Sequence, residues 1–165
     1  MRVDDLYPFW DAVHEDFVDT VSFLTTDKLD ARPFDKAVTI RQIILRFIEA
    51  ERYWLAHVVG GYVYERPRAD SFPDGHALAE ASRATRYISS RVLDPLSQGS
   101  LRAVRRVPAD MKLNHPESNM TIGWIIWHVM EEEIKAWGQV SMRLEEAGQE
   151  GPGVGRLRKR EDHRN

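Results

Sequence analysis

Thr121-Ile122-Gly123-Trp124-Ile125-Ile126-Trp127-His128-Val129-Met130-Glu131-Glu132-Glu133-Ile134-Lys135-Ala136-Trp137-Gly138-Gln139-Val140 decides the reading of this chain. Apolar side chains return at three- and four-residue spacing through Ile122, Ile125, Ile126, Val129, Ile134, Trp137 and Val140. That is the period of a helix with one buried face. The pattern continues through Met142 and Leu144, and Gly148 stops it, so a helix is expected over residues 121–147. Its longest apolar run, residues 122–129, falls far below the roughly 20 residues that span a bilayer. Polar residues interrupt this helix at His128 and Glu132. At a separation of four they share a face about one turn apart, which suits two ligands on one metal or a carboxylate orienting an imidazole. The plainer reading is a surface pair on a charged helix.

Three more segments carry the same period. Leu6, Phe9, Trp10, Val13, Phe17, Val21 and Leu24 predict a helix over residues 5–24, with Pro8 early, where a missing N–H does little harm. A short turn capped by Thr26 follows, ended by Pro33. Thr39 with Gln42 makes a T-x-x-Q capping box. The helix that it opens carries Ile40, Ile43, Ile44, Phe47, Trp54, Leu55 and Val58, and ends at Gly60-Gly61. Residues 62–72, with Pro67 and mixed charge, read as a long crossover loop. A thinner stripe of Leu78, Ala81, Ala84, Thr85, Ile88, Val92 and Leu96 predicts a helix over 73–98, with a kink or early end at Pro95. Residues 101–107 alternate apolar and basic types and suit a short extended piece, and 114–119 read as loop. No strand system is expected.

Four amphipathic helices with one long connection imply an all-α domain, a four-helix bundle with a crossover, over residues 1–148. Residues 149–165 contain Arg156-Leu157-Arg158-Lys159-Arg160 and read as a flexible basic C-terminal tail. At 165 residues there is room for one real core. A net charge of -3 gives no electrostatic reason to expect nucleic acid or acidic membranes. Charges at Arg2, Asp4 and Asp5 argue against a signal peptide, and the chain reads as soluble. The absence of cysteine excludes disulfides and thiolate ligands and suits a reducing, cytoplasmic setting. Any metal would need imidazole and carboxylate ligands.

The remaining candidates lie beside these stripes. The second long helix offers Arg46, Glu49, Glu51 and His57. His57, near the helix end, reads most simply as a cation favoured by the dipole or as a half-buried hydrogen-bonded residue, and His14 has the same structural default. Trp10, Trp54, Trp124, Trp127 and Trp137 read as core or pocket wall, with an apolar cleft or dimer interface as the alternative.

Two stretches, taken together, resemble a known family. They are Leu29-Asp30-Ala31-Arg32-Pro33 with residues 39–54, and residues 121–139 from Thr121-Ile122-Gly123-Trp124 to Gly138-Gln139. Both look like the DinB/YfiT-like family of metalloenzymes, and the likeness runs from about Leu6 to Ala147. The resemblance implies a four-helix bundle, commonly dimeric, with a divalent metal on three histidines. Some members of the family are thiol-dependent transferases. Carried onto this sequence, the ligand positions fall on Arg46, Glu132 and Ala136, with His128 one turn earlier. Adjacent positions offer Phe47, Glu131, Glu133, Lys135 and Trp137, so no histidine triad is recovered.

A guanidinium has no lone pair for a metal, and its fixed charge would repel a divalent ion. An Arg46–Glu132 pair, with His128, is therefore expected to fill the former metal site alongside Ala136, and Arg46→Ala to destabilise more than Arg52→Ala. The leading expectation is a homodimeric, small-molecule-binding bundle of unassigned reaction that has lost the metal. The alternative is a divalent-metal-dependent transferase or hydrolase, using zinc, nickel, iron or manganese on His128 and Glu132 with Glu51 or His57. Whether the chain is an enzyme stays open at this point, as does a purely structural bundle.

Overall fold

The structure, a computed structural model, describes residues 9–32, 37–109 and 118–148. Four long helices dominate: α1 (Trp10–Ser22), α3 (Ile40–Glu51), α4 (Gly75–Leu93) and α5 (Ile122–Glu146). A single short helix, α2 (Thr26–Asp30), lies between α1 and α3. The N-terminal part of the expected first helix, Pro33 and the whole basic tail fall outside the described residues.

Cap chemistry sets the helix boundaries. At α3 the Thr39 hydroxyl accepts from the Gln42 N–H at 3.2 Å, and the Gln42 side chain accepts from the Thr39 N–H at 3.0 Å, as the capping box predicts. Thr121 accepts from the Trp124 N–H at 3.2 Å and opens α5. Asp74 caps α4 through the Ala77 N–H at 2.9 Å. The α4 helix ends at Leu93, two residues before Pro95, so the proline produces an early end rather than a kink.

One helix departs from the plain α pattern. After Glu51 the chain continues as a π-helical segment, Arg52–Val59. Tyr53, Trp54, Leu55 and Ala56 are all buried, four in a row. An α-helix cannot send four consecutive residues to one side, whereas the wider π turn brings them closer to it.

A second departure is a small antiparallel hairpin, where no strand pairing was expected. Strand β1 (Val104–Val107) pairs with β2 (Ser118–Thr121), Val104 opposite Thr121 and Val107 opposite Ser118. The extended piece at 101–107 was legible only in part, since a 3₁₀ turn fills Gln98–Arg102. The stretch expected as loop at 114–119 supplies the start of β2, and its earlier residues lie outside the described set. Four residues whose last member is also a helix cap are too few to show a period of two.

The core falls into two clusters. The first gathers Val21 from the end of α1 and Leu24 just beyond it, Ile40, Ile43 and Ile44 from the start of α3, Leu78 from the start of α4, and Val140 and Leu144 from the end of α5. The second gathers the opposite ends, with Trp10, Trp54, Leu55, Leu93, Ile122 and Ile125. Hence α1 and α5 run one way and α3 and α4 the other. Parallel neighbours α3 and α4 require the long connection through residues 60–74. Tyr64 and Arg66 tie that connection to α3 through Glu49, at 2.9 Å from the Tyr64 hydroxyl and 2.8 Å from Arg66 Nε. Gly75 lets α4 start hard against α1: its N–H donates to the Leu24 carbonyl at 3.2 Å, and a Cβ there would collide with the carbonyl oxygens of Val21 and Leu24. Among the described residues no helix is long and apolar enough to cross a membrane.

Candidate functional site

Between the two apolar clusters lies a polar layer to which every long helix contributes one residue: His14 from α1, Glu51 from α3, Arg86 from α4 and Glu133 from α5. Their exposures are 0%, 0%, 8% and 1%, so the layer is interior. The Arg86 guanidinium is its hub. Nε donates to Glu51 Oε1 at 2.9 Å, and one terminal nitrogen reaches Glu51 Oε2 at 3.4 Å and Glu133 Oε2 at 2.8 Å. The other terminal nitrogen meets the half-exposed Asp11 carboxylate at 3.4 Å. The guanidinium carbon lies 4.1 Å from the centre of the Trp10 ring, a cation–π geometry. Glu133 is equally saturated: it accepts from Trp10 Nε1 at 2.5 Å and contacts His14 Nδ1 at 2.7 Å.

Electrostatics follow from this geometry. Burial alone would push the Arg86 guanidinium toward losing its proton, but Glu51 and Glu133 face it and hold it above the usual arginine range. Burial likewise works to raise the Glu133 carboxyl. Hydrogen bonding from His14 and the positive charge of Arg86 outweigh it, and Glu133 stays below the usual carboxylate range. With His14 Nδ1 directed at Glu133, the buried Nε2 has no hydrogen-bond partner among the described residues. The ring lies against Phe47, centroids 6.0 Å apart.

A second polar group lies half-exposed on α5, toward the Trp54 end of the bundle. His128 stacks on Trp124 with centroids 4.9 Å apart and planes 11° from parallel, and meets the edge of Trp54 at 5.4 Å. Its Nδ1 is 3.6 Å from Glu131 Oε2. Lys135 bridges Glu131 and Glu132 at 3.0 and 3.2 Å. That ammonium, with His128 behind it, holds the Glu131 carboxyl below its usual range.

The residues singled out in the sequence do not converge on one pocket. Arg46 is exposed, so the expected Arg46–Glu132 pair is corrected: Glu132 bonds Lys135, and the inward neighbour on α3 is Phe47, at 1% exposure. The reason is rotational. On an α-helix that buries Ile43, Ile44, Phe47 and Ile48, position 46 points the other way. Ala136 is a buried core residue with no donor to offer. Glu51 is committed to Arg86, and His57 Nδ1 lies 2.8 Å from the Tyr62 carbonyl with its ring beside Tyr53 and Tyr64. Tested against a divalent metal, Arg46 and Ala136 bring no lone pair and Glu132 alone remains, so these positions do not fit the three-histidine centre that the resemblance implies.

Interior charge pairing between helices is present, then, but Arg86 and Glu133 make it. Sequence reasoning left His14 with a structural default, named Glu133 only as a neighbour of Glu132 and passed over Arg86, although a signal existed. Each lies in register with an apolar stripe: His14 between Trp10 and Phe17, Glu133 between Val129 and Ala136, Arg86 two turns beyond Leu78. A charged residue inside such a stripe is buried and needs a partner from a facing helix.

No family profile matches the chain, and a search of curated proteins returns no match. Among solved structures the chain is similar to a DinB-like protein from Bacillus cereus ATCC 10987, with a TM-score of 0.69 at 14% sequence identity, over 88% of this chain and 92% of that one. The chain has the all-helical fold of a DinB-like protein.

Proposed function

We propose that this protein is a DinB-type bundle that has given up the three-histidine metal centre and serves as a small-molecule-binding module in the cytoplasm. The observation that carries this reading is Arg86, a permanent cation set between Glu51 and Glu133 at a level where all four long helices contribute a polar side chain. In four-helix bundles that level is where facing carboxylates gather around cofactors and metals. Here a guanidinium supplies the positive charge, and the carboxylates are spoken for. The half-exposed His128, Trp124 and Trp54, with Glu131 and Glu132 beside them, offer a ligand an aromatic wall next to acidic groups. Elemental analysis of untagged protein is expected to find no stoichiometric zinc, nickel, iron or manganese. One full equivalent, lost in a His128→Ala or Glu132→Gln variant, would overturn the reading.

That outcome would establish the second reading, a divalent-metal-dependent transferase or hydrolase. It is favoured by one observation: ligand atoms of His128, Glu131 and Glu132 lie within 4.8 Å of one another. All three come from a single helix, and Lys135 already bridges the two carboxylates. A metal there would have to displace that ammonium and find its remaining ligands in solvent or substrate.

A homodimer belongs to the same proposal. Trp127, Ile134 and Met142 recur along one side of α5 at seven- and eight-residue spacing, 49%, 60% and 53% exposed. Apolar stripes of this kind are what a partner surface covers. Light scattering is expected to give twice the chain mass, and Ile134→Glu to give monomer; a monomeric wild type would end the dimer proposal.

A further inference from the structure

At the end of the bundle away from His128, a cavity of about 240 Å³ opens between α2, the start of α3 and the last turn of α5. Its wall is mostly carbon, with buried Ile40 and Leu144, half-buried Val38, and Ala31 and Ala147 at the rim. Lys28, Arg32 and Glu146 reach it from exposed positions, and Arg143 completes the lining. We infer that this cavity binds a small neutral apolar molecule, an arene ring carrying a short alkyl chain.

Size and wall chemistry both point that way. An apolar cavity of about 150 Å³ accepts benzene, so this one takes a ring with a short chain. Polar groups beside it are already engaged inside the chain. Both Asp30 oxygens are held by Arg41 at 2.7 and 2.9 Å. The capping box occupies the Thr39 hydroxyl and N–H at the start of α3. At the end of α5 the Arg143, Leu144 and Glu145 carbonyls accept from the Ala147 and Gly148 N–H groups, and Arg143 has a further interaction of its own. Lys28, Arg32 and Glu146 keep their charged ends in water, where salt screens them, and turn methylene stems to the cavity. An ionic ligand would therefore leave water for a carbon wall without gaining a dedicated counter-charge, which favours a neutral one. The wall is also fixed in advance. Arg41 ties α2 to α3 through Asp30, and both Arg41 and the Thr26 hydroxyl donate to the Pro73 carbonyl at 3.2 Å. A pocket held by such bonds loses little freedom when a ligand enters. This site is at the far end from the His128 shelf, and its occupancy does not depend on whether that shelf holds a metal.

The test is titration of the ¹⁵N-labelled full chain with toluene, ethylbenzene and propylbenzene, and with benzoate and benzylammonium as charged counterparts. Amide shifts of Ile40 and Leu144 are the readout. The hydrocarbons are expected to give saturable shifts at both residues, with affinity rising about fourfold for each added methylene. Neither charged counterpart is expected to bind more tightly than toluene. Raising the salt from about 0.05 M to about 0.5 M is expected to change the toluene affinity by less than about twofold. A double variant, Lys28→Gln with Arg32→Gln, alters two exposed side chains and is expected to leave that affinity unchanged. Ala31→Trp, also at an exposed position, is expected to block the mouth and abolish the shifts. Tighter binding of either ion, lost affinity in the double variant, undiminished binding in Ala31→Trp, or no saturable shift at Ile40 and Leu144 would overturn the inference. Metal content is read separately in the same samples, so failure here and failure of the proposed function are distinguishable.

Discussion

Glu133 concentrates the chemistry of this protein in one carboxylate, with Trp10, His14 and Arg86 all on its two oxygens. Because its folded pKa lies below the unfolded value, the charged form favours the folded state. That contribution is complete above the ordinary carboxylate pKa and is lost as pH falls through the depressed one. A Glu133→Gln variant is therefore expected to be less stable at neutral pH and to lose less further stability than wild type between about pH 5 and pH 2. Urea unfolding across that range is the check, and parallel pH profiles for the two proteins would contradict it. Among the described residues His14 Nε2 has no hydrogen-bond partner, and the network stops being satisfied at that atom. A buried polar atom left in that state is costly, and its presence shows how far the layer departs from an apolar core.

Among the elements, the α3 helix and its π continuation set which arginine matters. The sequence showed a helix from Thr39 to Gly60, correctly bounded by a capping box and a glycine pair. The family resemblance, carried onto this helix by position, led to Arg46 as the inward cation. In the structure Arg46 is exposed, while Arg52, the first residue of the π segment, donates to Thr85 Oγ1 across to α4 at 2.9 Å. The order of the two arginines is thus reversed. Arg46→Ala is expected to change stability by no more than about 0.5 kcal/mol, and Arg52→Ala to cost about 0.5–1.5 kcal/mol. Thermal or chemical unfolding of the two variants decides, and a larger loss for Arg46→Ala would restore the pairing inferred from the sequence. A π segment leaves no clear periodic trace over eight residues, because its hydrogen bonds depend on packing against α4 and α5 rather than on local propensity. The hairpin was hidden for a related reason: β1 and β2 are each four residues, and their pairing is long-range.

For the whole molecule, the all-helical bundle and its crossover were legible because burial dictates them: four amphipathic stripes must meet, and a crossover of residues 62–72 leaves α3 and α4 parallel. The interior polar layer was not, although each member stands in its stripe. One charged residue per helix looks like noise until the four helices are laid together. Laid together, they make a level at which α1, α3, α4 and α5 can match charges in only one register. A buried pair of this kind adds little net stability over apolar packing, yet removing one partner strands a charge and costs about 3–5 kcal/mol. We propose that its role is to fix how the helices align.

The measurement that bears most directly on that claim is a double-mutant cycle between Arg86→Met and Glu133→Gln, run on chelator-treated protein. The account predicts that each single change is strongly destabilising and that the two are coupled by about 1–3 kcal/mol, with full coupling in the absence of metal. Additivity within about 0.5 kcal/mol, or coupling that emerges only when zinc, nickel, iron or manganese is restored, would contradict it.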